Sequence, residues 1–269
     1  MFANKTRAKL NAGQTVLGCD IRLHSPETVE LLGAMGFDFV RINIEHEPYD
    51  EREIVNMIRA ADSFGITPMI RLPNDPDVMR RFLEAGVQGV HIARINTAAD
   101  AQQVVDAVRF GPQGKRTFST SGRAGNYGIG HTEQEVLEFT NREVMIILQI
   151  EEAEGVRNLD EILAVPYVDA VQIGPKDLWQ SMEFPSTEKV WGVIVDSLDR
   201  VTKAGRWTSM VSWIGNDVNK DKLATYGELG VRIISVLQRE LIIFGAQEFL
   251  NQARSATKDS AFPAASGAS

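Results

Sequence analysis

The sequence of 269 residues is long enough to bury a substantial core, and its 43% hydrophobic and 24% charged residues are ordinary for a soluble globular protein. The net charge of −8 argues against general nucleic-acid binding, because phosphate neutralisation needs a concentrated basic face and no run of Lys or Arg supplies one. The single cysteine, Cys19, excludes an internal disulfide and is compatible with a reducing cytoplasm. Residues 1–10 lack the apolar core of a signal peptide, and no run of about 18 apolar residues could cross a membrane. We therefore expect a cytoplasmic protein without nucleic-acid or membrane partners.

A strand followed by a helix recurs along the first half of the chain. After a short basic N-terminal helix, strands are predicted at 15–19, 37–42, 67–70 and 89–92, and helices at 26–35, 50–64, 76–85 and 98–109. Ser25 and Asp75 are the expected N-caps of two of these helices, and Gly36, Gly65 and Gly86 are expected to end three of them.

Between residues 110 and 141 the alternation stops in a segment rich in Gly, Ser and Arg, of the kind that forms functional lids or is disordered. It then resumes, with strands predicted at 144–150, 170–173, 208–211 and 232–236 and helices at 158–164, 187–204, 218–229 and 238–252. Residues 256–269 are rich in Ser, Ala and Gly and predict a disordered tail after a domain of residues 1–255.

About eight alternating units predict an α/β fold, a single (β/α)8 TIM barrel with additional N-terminal and C-terminal helices. A barrel closes with eight strands and hides every strand edge, whereas a doubly wound open sheet, the alternative, does not. Nucleotide-binding versions of that alternative are weakened because no Gly-x-Gly-x-x-Gly follows the first strand and no Walker loop occurs.

The predicted strand ends are unusually polar, and in barrel enzymes the chemistry lies at the C-terminal ends of the strands. In chain order these ends carry Asn43, Glu45 and His46, then Arg71, Arg94, Gln149 and Glu151, Asp177, and Ser212 and Trp213.

Glu151 and Asp177 closely follow two adjacent strands. A buried strand end would not carry a carboxylate without a partner, and a hard cation such as Mg²⁺ or Mn²⁺ prefers a few carboxylate oxygens with positions left to water and substrate. In the alternative interpretation, each carboxylate caps the following helix, an interaction worth about 0.5 to 1 kcal/mol.

His46 and Arg71 also admit two interpretations each. His46 lies between two glutamates and is either a general base or a surface residue. Arg71 is expected to point into the barrel mouth, where it either binds an anionic ligand or forms a structural salt bridge with Glu45 or Glu151.

At these residues the chain resembles the metal-dependent pyruvate aldolases of the HpcH/HpaI family, over a length from about Asn4 to the last helix. The motifs occur in the family's order and coincide with predicted strand ends. They are Gly36-Phe37-Asp38, Glu45-His46, Ile70-Arg71, Gly114-Lys115-Arg116, Arg123-Ala124, Gln149-Ile150-Glu151 and Ile173-Gly174-Pro175-Lys176-Asp177-Leu178.

The resemblance implies roles for these residues. Glu151 and Asp177 would bind the divalent metal, Mg²⁺, Mn²⁺ or Co²⁺, while His46 acts as the base and Arg71 stabilises the enolate oxygen. The metal would replace the iminium of a Schiff-base aldolase as the electron sink.

Further residues are assigned by the same resemblance. Gln149 and the backbone around Lys176 and Asp177 would hold the carboxylate of a 2-oxo acid, and Lys176 is the nearest rival as a Schiff-base lysine. Glu84 stands where the family usually has an aspartate that raises the basicity of the histidine.

Three positions depart from the family pattern. Asn43 replaces an aspartate that usually lies shortly before the Glu45-His46 pair, Asp20 falls near a frequent tryptophan, and Arg94 occupies a strand end that is usually uncharged. A pocket containing Arg94 and Arg71, with contributions from Arg22 and Arg123, would suit a substrate with more than one negative group.

We therefore expect a lyase that cleaves or forms 4-hydroxy-2-oxo acids through a pyruvate enolate. Alternatives are decarboxylation of oxaloacetate, a condensation of the macrophomate-synthase or citrate-synthase type, or a non-catalytic barrel that binds a 2-oxo acid. The resemblance also implies a homo-oligomer, a hexamer or trimer of dimers, assembled through C-terminal helices. Residues Leu241-Ile242-Ile243-Phe244 are apolar enough for such burial, or could face their own barrel.

Overall fold

A closed barrel of eight parallel strands forms the centre of the computed structural model, which describes residues 1–119, 121–212, 214 and 217–257. Each strand pairs with the next in the sequence, and the last pairs with the first. The strands are β1 Val16–Ile21, β2 Phe39–Asn43, β3 Thr67–Leu72, β4 Gly89–Ile92, β5 Met145–Ile150, β6 Ala170–Ile173, β7 Trp207–Ser212 and β8 Ile233–Leu237. The predicted barrel is confirmed, and the open sheet is excluded.

Helices surround the barrel and connect its strands. They are α1 Lys5–Asn11, α2 Pro26–Ala34, α3 Glu51–Phe64, α4 Pro76–Ala85, α5 Ala98–Val108, α6 Glu133–Glu143, α7 Ala153–Arg157, α8 Leu159–Ala164, α9 Pro175–Ser181, α10 Thr187–Lys203, α11 Asp217–Glu228 and α12 Gln238–Thr257. The predicted caps form, since Ser25 and Asp75 accept hydrogen bonds from backbone N–H groups of α2 and α4, and Gly65 and Gly86 adopt left-handed conformations. Within the described residues, no helix is long and apolar enough to span a bilayer.

The long segment after α5 is more ordered than its composition predicts. It contains a 3₁₀ turn at Arg123–Gly128 and helix α6, whose start is a capping box between Thr132 and Glu135. Helices α7 and α9 were also not predicted. Helix α12 continues to Thr257, past its predicted end, and residues 258–269 of the predicted tail lie outside the described part of the chain.

The side chains inside the barrel form layers, because alternate residues of each strand point inward. An apolar cluster fills the N-terminal end of the barrel and consists of Leu10, Val16, Phe39, Met69, Met145, Ile147, Ala170 and Ile233. Above it lies a layer of buried polar side chains centred on Arg41, and above that layer lies the mouth formed by the strand ends. The site at the mouth therefore rests on a polar layer.

The main hydrophobic core lies between the strands and the helices. It is formed by the strand side chains that point out of the barrel and by the helix faces that pack against them. Cys19 belongs to this core, and burial raises the pKa of its thiol to about 12. It is a packing residue of this core.

Helix α12 carries an exposed apolar surface. Its exposed side chains are Ile242, Ile243, Phe244, Phe249 and Leu250. Leu241 packs against the core of its own barrel. Of the four residues predicted either for assembly or for self-packing, three are therefore exposed.

Gly18 of β1 makes room for the ring of Phe39, its partner residue on β2. A Cβ atom at Gly18 would lie 2.2 Å from two ring carbons of Phe39. We expect Gly18→Ala to lower the free energy of unfolding by about 1 to 3 kcal/mol, because the buried ring cannot move away. Chemical denaturation measures this change.

Gly192→Ala is the matched control, since Gly192 lies inside helix α10 and a Cβ there meets no atom within 4 Å. Alanine should stabilise the protein at this position by about 0.5 to 1 kcal/mol. Equal effects of the two substitutions would contradict the packing of Phe39 against Gly18.

Candidate active site

A cavity of about 390 Å³ opens at the C-terminal mouth of the barrel, within the size range of small-ligand sites. Its lining residues are Glu45, His46, Arg94, Glu151, Glu152, Asp177, Gln180 and Ser181. Four of these side chains are carboxylates, and the described residues lining the cavity include no lysine. Five predicted site residues, Glu45, His46, Arg94, Glu151 and Asp177, therefore line one cavity.

Glu151 is the most buried of these carboxylates. It directly follows β5, is 3% exposed, and accepts a hydrogen bond from Nε2 of Gln149. Burial raises the pKa of Glu151 from 4.5 to about 7, and the negative charges of Asp177 and Glu45 add to the rise, whereas Arg71 and Gln149 oppose it. A positive charge beside Glu151 and Asp177 would stabilise the ionised form.

Two guanidinium groups hold two of the four carboxylates. Nε of Arg71 lies 2.6 Å from Oε2 of Glu45, and Nε of Arg94 lies 3.7 Å from Oε1 of Glu152. Arg71 reaches Glu151 only at 3.9 Å, and no ion pair within the described ranges includes Asp177. The excess negative charge of the cavity therefore lies at Glu151 and Asp177.

This pair fits a hard divalent cation. No group of three or more His, Cys, Asp or Glu side chains is arranged to hold a metal in the described chain. Glu151 and Asp177, which line the same cavity, could give a cation two carboxylates and leave its other positions to water and substrate, as is common for Mg²⁺.

Helix capping does not account for Glu151. The N-cap of α7 is Glu152, and among the described residues no side chain caps α7 or α9. Asp177 lies in the first turn of α9, where the helix dipole stabilises its negative charge. This interaction leaves its carboxylate oxygens able to bind a ligand.

Gly174 brings β6 close to Glu151 and was not predicted as a site residue. A Cβ at this position would lie 2.7 Å from Cβ of Glu151 and 3.0 Å from Nε2 of Gln149. Only glycine leaves both side chains where they are. The sequence signal was a glycine directly after a strand, at the entrance to a helix.

Asn43 holds the loop that carries Glu45 and His46. Its Oδ1 accepts hydrogen bonds from the backbone N–H groups of Glu45 at 3.0 Å and His46 at 3.2 Å. An aspartate would accept the same bonds, so the departure from the family pattern keeps the loop geometry. Nε2 of the half-exposed His46 ring then lies 3.4 Å from Nη2 of Arg71.

Glu84 and Lys176 lie away from this cavity. Glu84 is in the last turn of α4, at the opposite end of the barrel, and its carboxylate binds Nη2 of Arg116 at 2.7 Å. The structure therefore does not bring Glu84 to His46 within one chain. The side chain of Lys176 lines a separate cavity of about 580 Å³ beside α9, α10 and α11.

The proposed additional cations are also placed differently. Arg123 pairs with Asp62 at the N-terminal end of the barrel, so its predicted contribution to the pocket is wrong for this chain. Arg22 pairs with Glu47 at 3.2 Å. Ser212 ends β7 in a buried position, and Trp213 lies outside the described residues.

Arg94 has an unusual backbone at the cavity rim. Its φ of 59° lies in the left-handed region, which side chains other than Gly, Asn and Asp rarely adopt. The guanidinium is 76% exposed and faces Glu152. Strained residues of this kind cluster at functional sites.

The model of the HpcH/HpaI aldolase/citrate lyase family matches residues 17–233. A 5-keto-4-deoxy-D-glucarate aldolase of Escherichia coli is 35% identical over 179 residues, which cover 66% of this chain and 69% of that protein.

Solved structures share the barrel. A HpcH/HpaI aldolase/citrate lyase family protein from Burkholderia cenocepacia J2315 has a TM-score of 0.84 at 26% identity, covering 93% of this chain and 99% of that one. A HpcH/HpaI aldolase from Desulfitobacterium hafniense DCB-2 also has a TM-score of 0.84, at 23% identity over 92% and 96% of the two chains. At that identity the likeness concerns the fold alone.

Proposed function

The chain belongs to the HpcH/HpaI aldolase/citrate lyase family and is a carbon–carbon lyase of the aldolase type, and on that premise we propose that it cleaves and forms 4-hydroxy-2-oxo acids through the enolate of pyruvate. One observation carries the proposal. Glu151 and Asp177 share a cavity with His46, and Nε2 of His46 lies 3.4 Å from Nη2 of Arg71.

Glu151 and Asp177 would hold a divalent metal, Mg²⁺, Mn²⁺ or Co²⁺. When bound, such a metal would withdraw electrons from the carbonyl of a 2-oxo acid. The raised pKa of Glu151 supports this assignment, because a buried carboxylate beside a second one needs a positive neighbour to stay ionised.

His46 and Arg71 would move the proton and stabilise the developing charge. His46 takes the proton of the C4 hydroxyl on Nε2 once Nη2 of Arg71, which lies 3.4 Å from that atom, turns to the substrate oxygen and frees the lone pair. The C3–C4 bond then breaks, and its electron pair forms the enolate, whose oxygen accepts a hydrogen bond from Arg71. C4 leaves as the carbonyl carbon of an aldehyde, and the proton held by His46 passes to C3 to give pyruvate. Glu45 binds Nε of Arg71 and so fixes the direction of the guanidinium.

Gln149 and the backbone around Lys176 and Asp177 would hold the carboxylate end of the substrate. Lys176 lines the other cavity and is not among the residues that line this one, which supports a mechanism without a lysine imine. Glu84 is left out of the mechanism, since its carboxylate is bound to Arg116.

The substrate would carry a second carboxylate, bound by Arg94. The named substrate of the Escherichia coli relative is 5-keto-4-deoxy-D-glucarate, a molecule with carboxylates at both ends. Arg94 lines the same cavity and is only loosely paired with Glu152, at 3.7 Å. An anionic group of the substrate would compete for it effectively.

We further propose that the enzyme is a cytoplasmic homo-oligomer, a hexamer or trimer of dimers. The exposed apolar side chains of α12 support this assembly, because patches of this kind are normally buried against a partner.

Metal removal tests the proposal directly. We expect EDTA-treated protein to release no pyruvate from 4-hydroxy-2-oxo acids, and Mg²⁺, Mn²⁺ or Co²⁺ to restore release. Glu151→Gln should weaken Mn²⁺ binding and lower kcat by about 100-fold or more, because it removes an anionic ligand from the site. A coupled assay for pyruvate and electron paramagnetic resonance of free Mn²⁺ measure the two effects.

Glu152→Gln is the matched control. Glu152 lines the same cavity, but its carboxylate accepts a hydrogen bond from Nδ2 of Asn96 at 2.9 Å. Mn²⁺ binding should persist in this variant. Turnover by metal-free protein, or equal losses in the two variants, would contradict the proposal, and turnover of oxaloacetate without aldol cleavage would favour decarboxylation.

Substitution of Arg94 separates its charge from its backbone strain. Both Arg94→Ala and Arg94→Gly should raise KM for dicarboxylate substrates about tenfold, since an exposed charge-assisted hydrogen bond is lost. Only Arg94→Gly should also stabilise the fold, by about 1 kcal/mol, because glycine alone relieves the positive φ. Equal changes in KM for substrates with and without the second carboxylate would contradict this role.

A further inference from the structure

A layer of polar side chains lies inside the barrel, directly below the candidate active site. Its seven members come from seven different strands of the barrel and are all buried. They are Asp20, Arg41, His91, Gln149, Gln172, Ser209 and Ser235. Of these, the proposed mechanism uses only Gln149. Such layers in barrels are usually filled with branched apolar side chains, so a polar one calls for an explanation.

Arg41 is the centre of the layer and is 1% exposed. Its five N–H groups all find acceptors: both oxygens of Asp20, at 2.6 and 2.7 Å, Oγ of Ser235 at 2.7 Å, Nδ1 of His91 at 2.6 Å and Oε1 of Gln172 at 3.0 Å. Because a guanidinium can only donate, each partner must accept at the atom that Arg41 contacts.

This requirement fixes the tautomer of His91. Its Nδ1 accepts from Arg41, so the ring proton lies on Nε2, which donates to Oε1 of Gln149 at 2.8 Å. Burial, followed by the positive charges of Arg41 and Arg71, lowers the pKa of His91 well below its usual value, so the ring is neutral. A proton on Nδ1 would point at the Arg41 N–H group, and this hydrogen bond could not form.

The donor-to-acceptor direction of these hydrogen bonds is passed on from His91 to the active site. Oε1 of Gln149 accepts from His91 and, at 3.1 Å, from Nε2 of Gln172, whose own Oε1 is turned toward Arg41. The amide nitrogen of Gln149 must therefore face the other way, where it donates to Oε2 of Glu151. If the Gln149 amide were reversed, its N–H groups would face the N–H groups of both His91 and Gln172, and both hydrogen bonds would be lost.

We propose that His91 is a positioning residue for the active site: it passes the hydrogen-bond direction set by Arg41 to Gln149, and thereby holds the Glu151 carboxylate and presents the Gln149 amide N–H groups to the mouth. The inference rests on the proposed function for what Glu151 and Gln149 bind. The direction of the hydrogen bonds themselves is independent of it.

Two substitutions of His91 test its two hydrogen bonds separately, because each keeps one of them and removes the other. Asparagine places an amide near the position of Nδ1, so His91→Asn can still accept from Arg41 but cannot reach Gln149. Glutamine places its amide nitrogen near the position of Nε2, so His91→Gln keeps the donor to Gln149. We expect His91→Asn to weaken Mn²⁺ binding and raise KM for the 2-oxo acid about 10-fold or more, and His91→Gln to stay within about threefold of the unsubstituted protein, as for other residues that orient a metal ligand.

Ser235→Ala is the control for general damage to the layer. Ser235 accepts from Arg41 and donates to Asp20 at 3.1 Å, but contacts neither His91 nor Gln149. This variant should unfold at a lower temperature while its Mn²⁺ affinity stays within about twofold. A loss of Mn²⁺ affinity in Ser235→Ala equal to that in His91→Asn would overturn the proposal, as would unchanged affinity and KM in His91→Asn.

The ¹⁵N spectrum of labelled histidine gives a second readout that needs neither metal nor turnover. The sequence has four histidines, so comparison with the His91→Gln spectrum assigns the signal of His91. We expect the neutral tautomer with the proton on Nε2. A proton on Nδ1, or a doubly protonated ring, overturns the proposal even if His91→Asn fails to fold. Absence of Mn²⁺ binding and turnover in the unsubstituted protein would instead refute the proposed function, with the expected tautomer still observed.

Discussion

The buried ion pair between Arg41 and Asp20 is the interaction on which the interior of this barrel depends. Burying two charges costs several kcal/mol per ion unless every hydrogen-bonding group is satisfied. Here each N–H group of Arg41 has an acceptor, and these acceptors come from strands around the barrel. A network satisfied in this way has few alternative arrangements, so it fixes the side chains above it.

At the mouth of the barrel, in contrast, the carboxylates outnumber the cations that are close enough to pair with them. Arg71 binds Glu45 at 2.6 Å and reaches Glu151 only at 3.9 Å, Arg94 lies 3.7 Å from Glu152, and no ion pair among the described residues includes Asp177. Gly174 keeps β6 close enough for Glu151 and Gln149 to lie against it. An excess of negative charge above a rigid polar layer is the physical basis for proposing a metal-dependent aldolase rather than a barrel without catalysis.

Much of this arrangement follows from local sequence patterns. Alternation of strands and helices predicted the closed barrel, and the end of each strand predicted that Glu45, His46, Arg71 and Glu151 would meet. Lys176 and Glu84 were different, because their positions depend on the rotation of α9 and on the pairing of Glu84 with Arg116, 32 positions away. The capping box of α6 was present at Thr132 and Glu135 but lay within a segment whose composition predicted a loop. His91 gave no signal, since the direction of its hydrogen bonds is defined only by Arg41 in the folded barrel.

Diffraction from crystals soaked with Mn²⁺ and oxalate, a planar analogue of the pyruvate enolate, tests the central claim most directly. The expected result is an anomalous peak at about 2.0 to 2.3 Å from carboxylate oxygens of both Glu151 and Asp177, with oxalate on the metal and within hydrogen-bonding distance of Arg71. Mn²⁺ bound elsewhere in the barrel, or bound at the mouth without Glu151, would contradict it.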